Sequence, residues 1–384
     1  MSHHTTDCIV IGGGVIGLAI ARALRRDGLR VTLFERNTQP GGEASWAAAG
    51  MLAPQAEADQ PGVLFDLCTA SRALYPAFAE ALRDETSIDV ELRREGTLLL
   101  AFNEAEAADL ARRQAWQASA GLRAETLTPT QAREMEPHLS GAIHAALYLP
   151  DDWQVDNRRL TQALVAATFR AGVDIHCDAG DLQVVIEKGR IQGVSAFGKI
   201  WSAPLVVNAA GSWAARMSPE LLRLPPASVR PIRGQMLSMN LQPPDILNHV
   251  VRTERAYLVP RRDGRLIVGA TVEDVGFTKQ VTAGAVSKLL TGTIEAVPRL
   301  ADMPLGDLWT GLRPLAEDDL PILGETDVKG LFCATGHYRN GILLTPVTAE
   351  LIRCLATDRT PPLDPTPFSP RRFISNVPMA GAIG

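Results

Sequence analysis

The first 36 residues restrict what this chain can become more than anything after them. An apolar run, Cys8–Ile11, leads into Gly12-x-Gly14-x-x-Gly17. An amphipathic stretch follows, then a second apolar run, Val31–Phe34, that stops at Glu35. This order predicts a strand, a tight turn, a helix and a second strand arranged around a dinucleotide. Gly12 permits the turn, Gly14 lets the backbone approach a pyrophosphate, and Gly17 lets the helix pack close to the strand. The helix N-terminus offers amide donors and positive dipole to phosphates. Glu35 lies 18 residues beyond Gly17, where a carboxylate can accept hydrogen bonds from a ribose 2′-hydroxyl. That acid disfavours NADP, while FAD and NAD both satisfy this stretch.

A chain of 384 residues exceeds what one core usually organises, so two domains are expected. Net charge is −5 and no basic block appears, which argues against a nucleic-acid partner. The basic pairs Arg25-Arg26, Arg93-Arg94, Arg261-Arg262 and Arg371-Arg372 read as solvated faces. Cys8, Cys68, Cys177, Cys333 and Cys354 have no CxxC spacing, so buried thiols in a reducing compartment are expected and a metal site is not. No run reaches the roughly 18 apolar residues of a membrane span. No basic segment of a secretory signal precedes residue 8. The expectation is a cytoplasmic protein that engages neither membrane nor nucleic acid.

Along the chain, 37–42 has loop composition and 44–54 is small and apolar, suited to a flat ligand lying against backbone. Helical spacing covers 62–86, 104–118 and 283–297, and Asp156 is placed to cap a helix running to Phe169. Strands are predicted at 96–102, 142–149, 174–176, 183–186, 191–197, 205–208, 309–313 and 331–334. Arg262-Asp263-Gly264 signals a hairpin. A last helix ends near Leu355, followed by a Pro-rich tail read as irregular, as is His3-His4. Helix-alternating segments interleave with strand-rich ones. The predicted fold class is α/β plus α+β: a Rossmann-type dinucleotide domain (1–85, 155–225, 325–365) interleaved with a substrate domain on a large, mostly antiparallel sheet (86–154, 226–324). Residues 366–384 form a tail.

Several strings together resemble the glycine oxidase branch of the D-amino-acid oxidase and sarcosine oxidase superfamily. They are IGGGVIGLAIA, ASWAAAGMLAP (44–54), DDWQVDNRRL (151–160), RPIRGQML (230–237), YLVPRRDGRLIVGATVEDVGF (257–277), WTGLRPLAEDDLPILG (309–324) and GHYRNGILLTP (336–346). The resemblance implies FAD. It places Gly12, Gly14, Val15, Ile16, Gly17, Glu35, Arg36, Ala44, Ser45, Ala49, Gly50, Met51, Ala210 and Gly211 around the cofactor. The turn His337, Tyr338, Arg339, Asn340, Gly341, Ile342 and Leu343 closes over its ring, and Val185 touches the adenine side. Sarcosine oxidases tether flavin through a cysteine in the segment equivalent to 311–324. That segment has none here, so the FAD is expected to be noncovalent, with Cys333 a packed core thiol.

The implied activity is oxidative deamination of glycine or a small or N-substituted amino acid. Hydride passes to flavin, and the products are an imino or 2-oxo acid, ammonia or an amine, and hydrogen peroxide from dioxygen. Imine supply to the thiamine thiazole is a further implication. Alternatives are a D-amino-acid dehydrogenase with another acceptor, or an oxidase of a larger N-carboxymethyl amino acid. Arg313 is the candidate carboxylate clamp, because a guanidinium binds a carboxylate bidentately. Its competing reading is a surface pair with Glu317, Asp318 or Asp319. Tyr257 would donate a second bond, Arg339 would reach substrate or flavin edge, and Glu57 would orient an amine. Arg255 and Val272 depart from the histidine and methionine of some glycine oxidases. A homo-oligomer, tetramer or dimer, is implied.

Overall fold

Cys8–Ile11, Val31–Phe34 and Leu205–Asn208 are buried at every position, as strands covered on both faces must be. The computed structural model describes residues 4–216 and 229–376. In it these strands build a six-stranded sheet in the order Ile322–Glu325, Leu331–Thr335, Leu205–Asn208, Cys8–Ile11, Val31–Phe34, Asp174–His176. The last five run parallel. Chain order moves outward on one side of Cys8–Ile11, then resumes on its other side. The strand carrying the glycine triplet therefore borders the switch point, where open α/β sheets bind ligands at their carboxyl ends. Helices Val15–Arg26, Asn157–Arg170 and Thr345–Ala356 pack together on one face.

The second large sheet has eight strands: Leu305–Ala316, Val229–Asn240, Arg265–Gly269, Tyr257–Pro260, Val250–Arg252, Thr97–Ala101, Ala145–Leu149 and Glu125–Leu127. Every pair is antiparallel except Val250–Arg252 with Thr97–Ala101. The expected combination of a Rossmann-type unit with a large, mostly antiparallel sheet is what the chain adopts. Arg262-Asp263-Gly264 turns the hairpin between Tyr257–Pro260 and Arg265–Gly269. Asp156 accepts from the amides of Arg158 and Arg159, capping its helix as expected.

Some results differ from the sequence reading. Arg93 and Arg261, read as solvated faces, are buried and donate to backbone carbonyls. Strands Gln183–Glu187 and Arg190–Ala196, within the segment expected to belong to the dinucleotide domain, form a separate four-stranded sheet with Lys199–Ser202 and His4–Thr5. His4 is not irregular: it pairs beside Trp201 and stacks on it at 4.1 Å. The Pro-rich tail packs back through buried Phe368 and the Arg372–Asp318 ion pair. His3, the boundary at 225/226 and residues 377–384 lie outside the described residues.

The two large sheets are joined by buried polar contacts. Arg261, at the hairpin, is 3% exposed and donates to the carbonyls of Ala49 (2.6 Å) and Val155 (3.0 Å). The Trp309 indole donates to Ala47 O at 3.0 Å, and the Ser212 hydroxyl to Leu312 O at 2.9 Å. The Trp309 bond holds segment 44–51 against strand Leu305–Ala316, and the Arg261 bond to Ala49 holds it against the hairpin. Among the described residues, no helix is long and apolar enough to cross a membrane.

Candidate active site at the junction of the two sheets

A cavity of about 380 Å³ runs from the carboxyl ends of the parallel strands to the face of the eight-stranded sheet. At its nucleotide end, Gly12 has φ +107°, and a Cβ there would collide with the Ala209 carbonyl. A Cβ on Gly17 would strike Gly12 O, so helix and turn touch backbone to backbone. The first intrahelical bond is Leu18 N–H to Gly14 O at 2.9 Å, which leaves the amides of 15–17 ahead of it. Val15 N–H is met by Ser45 Oγ at 3.0 Å. Glu35 accepts from the amides of Gly13 and Asn37, each at 2.8 Å. Each carboxylate oxygen has a second lone pair left for a ribose hydroxyl. A side-chain-free cradle, helix-start donors and a fixed acid fit the pyrophosphate and ribose of FAD.

The substrate end is built over glycines inside strands. Gly234, Gly269 and Gly311 sit in three strands of the large sheet, and each has a side chain or helix laid across it. A Cβ on Gly234 would come within 2.6 Å of the Arg313 guanidinium, and one on Gly269 within 2.5 Å of the Tyr257 ring. A Cβ on Gly311 would lie 2.6 Å from the Ala47 methyl. Arg313 is therefore folded flat over its neighbour strand, held by one bond from Nη1 to Thr271 O at 3.1 Å. It is not paired with Glu317, Asp318 or Asp319; Asp318 pairs instead with Arg372. Burial pushes the Tyr257 phenol up more than the adjacent Arg313 charge pulls it down, so it stays a donor.

Glu57 ends the short helix Pro54–Glu57, whose amides at Gln55 and Ala56 are held by buried Asp152 at 3.1 and 2.7 Å. Its carboxylate bonds Arg252 and lies 3.6 Å from Arg339. Burial alone would raise its pKa, but Arg252, Arg339 and Arg313 outweigh that and hold it below the usual carboxylate range. Glu57 is thus a fixed anion already committed to two arginines, not a loop carboxylate in water.

The closing turn is anchored from behind. Tyr75 and Ser71, on helix Val63–Thr86, donate to the carbonyls of Ile342 and Leu343. The His337 ring bonds Thr348 Oγ1 at 3.0 Å, and burial pushes its pKa down to about 3. The ring is neutral in the fold and charged in the unfolded chain below its ordinary pKa of 6.5. Its contribution is therefore complete above pH 6.5 and shrinks as pH falls toward 3. Between pH 7 and 5 it should account for up to about 2 kcal/mol of lost stability. Urea midpoints at both pH values, compared with His337→Gln, check this; an unchanged slope in the variant would contradict it.

The family model for FAD-dependent oxidoreductases of the DAO type matches residues 7–355. The chain belongs to this family. It is 38% identical to a glycine oxidase of Geobacillus kaustophilus over 97% of this chain and 99% of that protein. The crystal structure of glycine oxidase from Geobacillus kaustophilus superposes with a TM-score of 0.91, covering 95% of this chain and 98% of that one. The bifunctional protein ThiO/ThiG of Synechocystis is 40% identical over 97% of this chain, which spans 54% of that protein's length.

This FAD-dependent oxidoreductase places most of the expected residues on the cavity wall, with Arg313, Tyr257 and Arg339 together at one end. Three cofactor candidates are off the wall. Val185 sits at a bulge in the separate four-stranded sheet, and Gly180–Leu182 occupy the cavity edge instead. Gly17 is spent on backbone contact with Gly12, and Leu343 is buried behind the turn. Cys333 is fully buried, its thiol pushed up to about 12 by burial, and it is not on the wall. Arg252, Trp213, Met236 and the strand glycines escaped the sequence reading. Glycine inside a strand marks close approach, and Gly234 and Gly269 carried that signal.

Proposed function

We propose that this chain oxidises glycine or a small N-substituted amino acid, with FAD held noncovalently and dioxygen as final acceptor. The observation that carries the reading is Arg313 and Tyr257 laid flat over strand glycines, facing a dinucleotide cradle across one cavity. Arg313 grips the substrate carboxylate with paired, charge-assisted hydrogen bonds, and Tyr257 donates a third. This fixes the α-carbon at near-attack distance. FAD bound in the cradle supplies a two-electron acceptor for the α C–H bond. Arg339, on the closing turn, screens the site from water and places positive charge at its edge. His337 is buried and hydrogen-bonded to Thr348, so no base is assigned to it; the substrate amine binds already neutral or sheds its proton to solvent on entry. For glycine the balance is glycine + O2 + H2O → glyoxylate + NH3 + H2O2.

The noncovalent assignment rests on buried Cys333 and on a segment 311–324 without cysteine. The likeness to ThiO/ThiG supports imine supply to a thiazole ring as the biological use. A cytoplasmic site fits five free cysteines, and a homo-oligomer fits the family resemblance. The domain division follows the segments that supply the parallel sheet, with its last boundary drawn ahead of Ile322.

The test is an oxygen-electrode trace with glycine, sarcosine and D-proline. Uptake with matching peroxide is the expected result. Bleaching of the flavin band under anaerobic conditions without aerobic uptake would transfer the reading to a dehydrogenase. No bleaching by any of the three would end it.

A further inference from the structure

We propose that Phe277 and Lys279 form a clasp across the nucleotide crevice, and that opening this clasp sets how fast FAD enters and leaves. The inference needs FAD alone and is independent of which amine is oxidised. The crevice has two lips at the carboxyl ends of the parallel strands. One is the loop after Val31–Phe34, which carries Glu43 two residues before the Ser45 hydroxyl that meets the Val15 amide. The other is the short helical turn Gly211–Arg216, which follows strand Leu205–Asn208 and carries Trp213. Glu43, Trp213 and Arg216 all stand on the cavity wall.

Segment 271–282 reaches both lips from the eight-stranded sheet, and its base is pinned to that sheet. Glu273 and Arg233 exchange backbone hydrogen bonds at 2.9 and 3.0 Å. Thr310 Oγ1 donates to Lys279 O at 2.9 Å, and Thr282 N–H donates to Gln235 Oε1 at 2.7 Å. From this base the Lys279 ammonium bonds Glu43 on one lip and lies 5.5 Å from the Trp213 ring on the other. The Phe277 ring packs 5.3 Å from Trp213, and the Arg216 guanidinium covers it at 3.7 Å. Arg36 also lies over Trp213, at 4.6 Å, and orients the indole that the clasp grips.

The clasp is built to release. The Lys279 side chain is 43% exposed, and ion pairs and cation–aromatic contacts open to solvent are individually weak. Buried joints hold the two sheets elsewhere, from Arg261 to Ala49 and Val155 and from Trp309 to Ala47. Undoing the clasp therefore opens the crevice without separating the sheets, as a gating segment must. Neither Phe277 nor Lys279 is on the cavity wall, and Glu43 neutralises the lysine. Both residues thus act on FAD through closure instead of contact. Phe277 carries no charge, so its loss leaves attraction for the pyrophosphate untouched. A lost contact would speed release alone, whereas a lost clasp speeds entry as well.

The experiment dilutes yellow holoenzyme and follows free-flavin fluorescence as binding relaxes, at several dilutions, which yields both rate constants. Phe277→Ala should raise the FAD dissociation rate at least tenfold and the association rate at least threefold. Lys279→Gln should speed release at least tenfold, and Lys279→Arg, which keeps the ion pair and the cation over Trp213, should restore the parent rates. Phe277→Leu, a milder change, carries the test if Phe277→Ala fails to fold. Parent-like release in a Phe277 variant or in Lys279→Gln overturns the clasp. So does faster release from a Phe277 variant with unchanged or slower association.

Discussion

Arg313→Ala should raise KM for an amino acid substrate at least tenfold, and lower kcat/KM by 100-fold or more, while FAD stays bound. Each hydrogen bond from a guanidinium to a carboxylate contributes about 1.5 to 3 kcal/mol net. Losing two of them removes about 3 to 6 kcal/mol of transition-state binding, and 1.4 kcal/mol is tenfold. FAD retention follows from position: the nucleotide cradle is built by Gly12, Ser45 and Glu35 on other elements. Arg313→Lys should recover only part of the loss, since an ammonium cannot reproduce the planar fork. Gly234→Ala gives an independent route to the same defect. Its methyl would sit within 2.6 Å of the guanidinium and displace a chemically intact Arg313. Parent-like kinetics in Arg313→Ala would remove that residue from the site.

Gly12→Ala should yield protein that purifies nearly colourless, with FAD affinity down at least 100-fold, about 3 kcal/mol. Two penalties coincide there. The residue has φ +107°, a conformation L side chains rarely adopt, and its new methyl would meet the Ala209 carbonyl, which is backbone and cannot rotate away. The turn must open, and the amides behind it then lose the pyrophosphate. Gly28→Ala separates strain from cradle loss. Gly28 also has positive φ, +95°, but a Cβ there meets nothing within 4 Å. That variant should lose a little stability and remain yellow. Flavin absorbance per protein and titration of apoprotein with FAD check both. A yellow Gly12→Ala protein with parent affinity would refute the cradle assignment.

The glycine triplet, the apolar runs beside it and Glu35 were readable because the dinucleotide unit is local. About thirty consecutive residues contain its strands, turn, helix and acid, and their spacing alone encodes the geometry. Helix boundaries and the hairpin at Arg262-Asp263-Gly264 were readable for the same reason. Arg313 and Tyr257 came from likeness to a family, since nothing local distinguishes them from other strand residues. Strands 183–187 and 190–196 carry no local mark of the sheet they join. Which sheet a strand joins depends on partners distant in sequence; Val185, expected near the adenine from the family resemblance, lies in the separate sheet and off the cavity wall. Arg252 illustrates the same limit. Its pairing with Glu57 spans 195 residues, and no periodicity within either segment could announce it.

The amino-acid order by itself predicted a nucleotide cradle where Cys8–Ile11 gives way to helix, because that demand is met within one unit of chain. Only the tertiary structure decided what faces the nucleotide. The glycine-floored sheet, the flattened Arg313 and the Glu57–Arg252–Arg339 cluster arise from strands brought together across more than two hundred residues. Charge balance and room for a substrate are properties of that meeting and belong to no single segment.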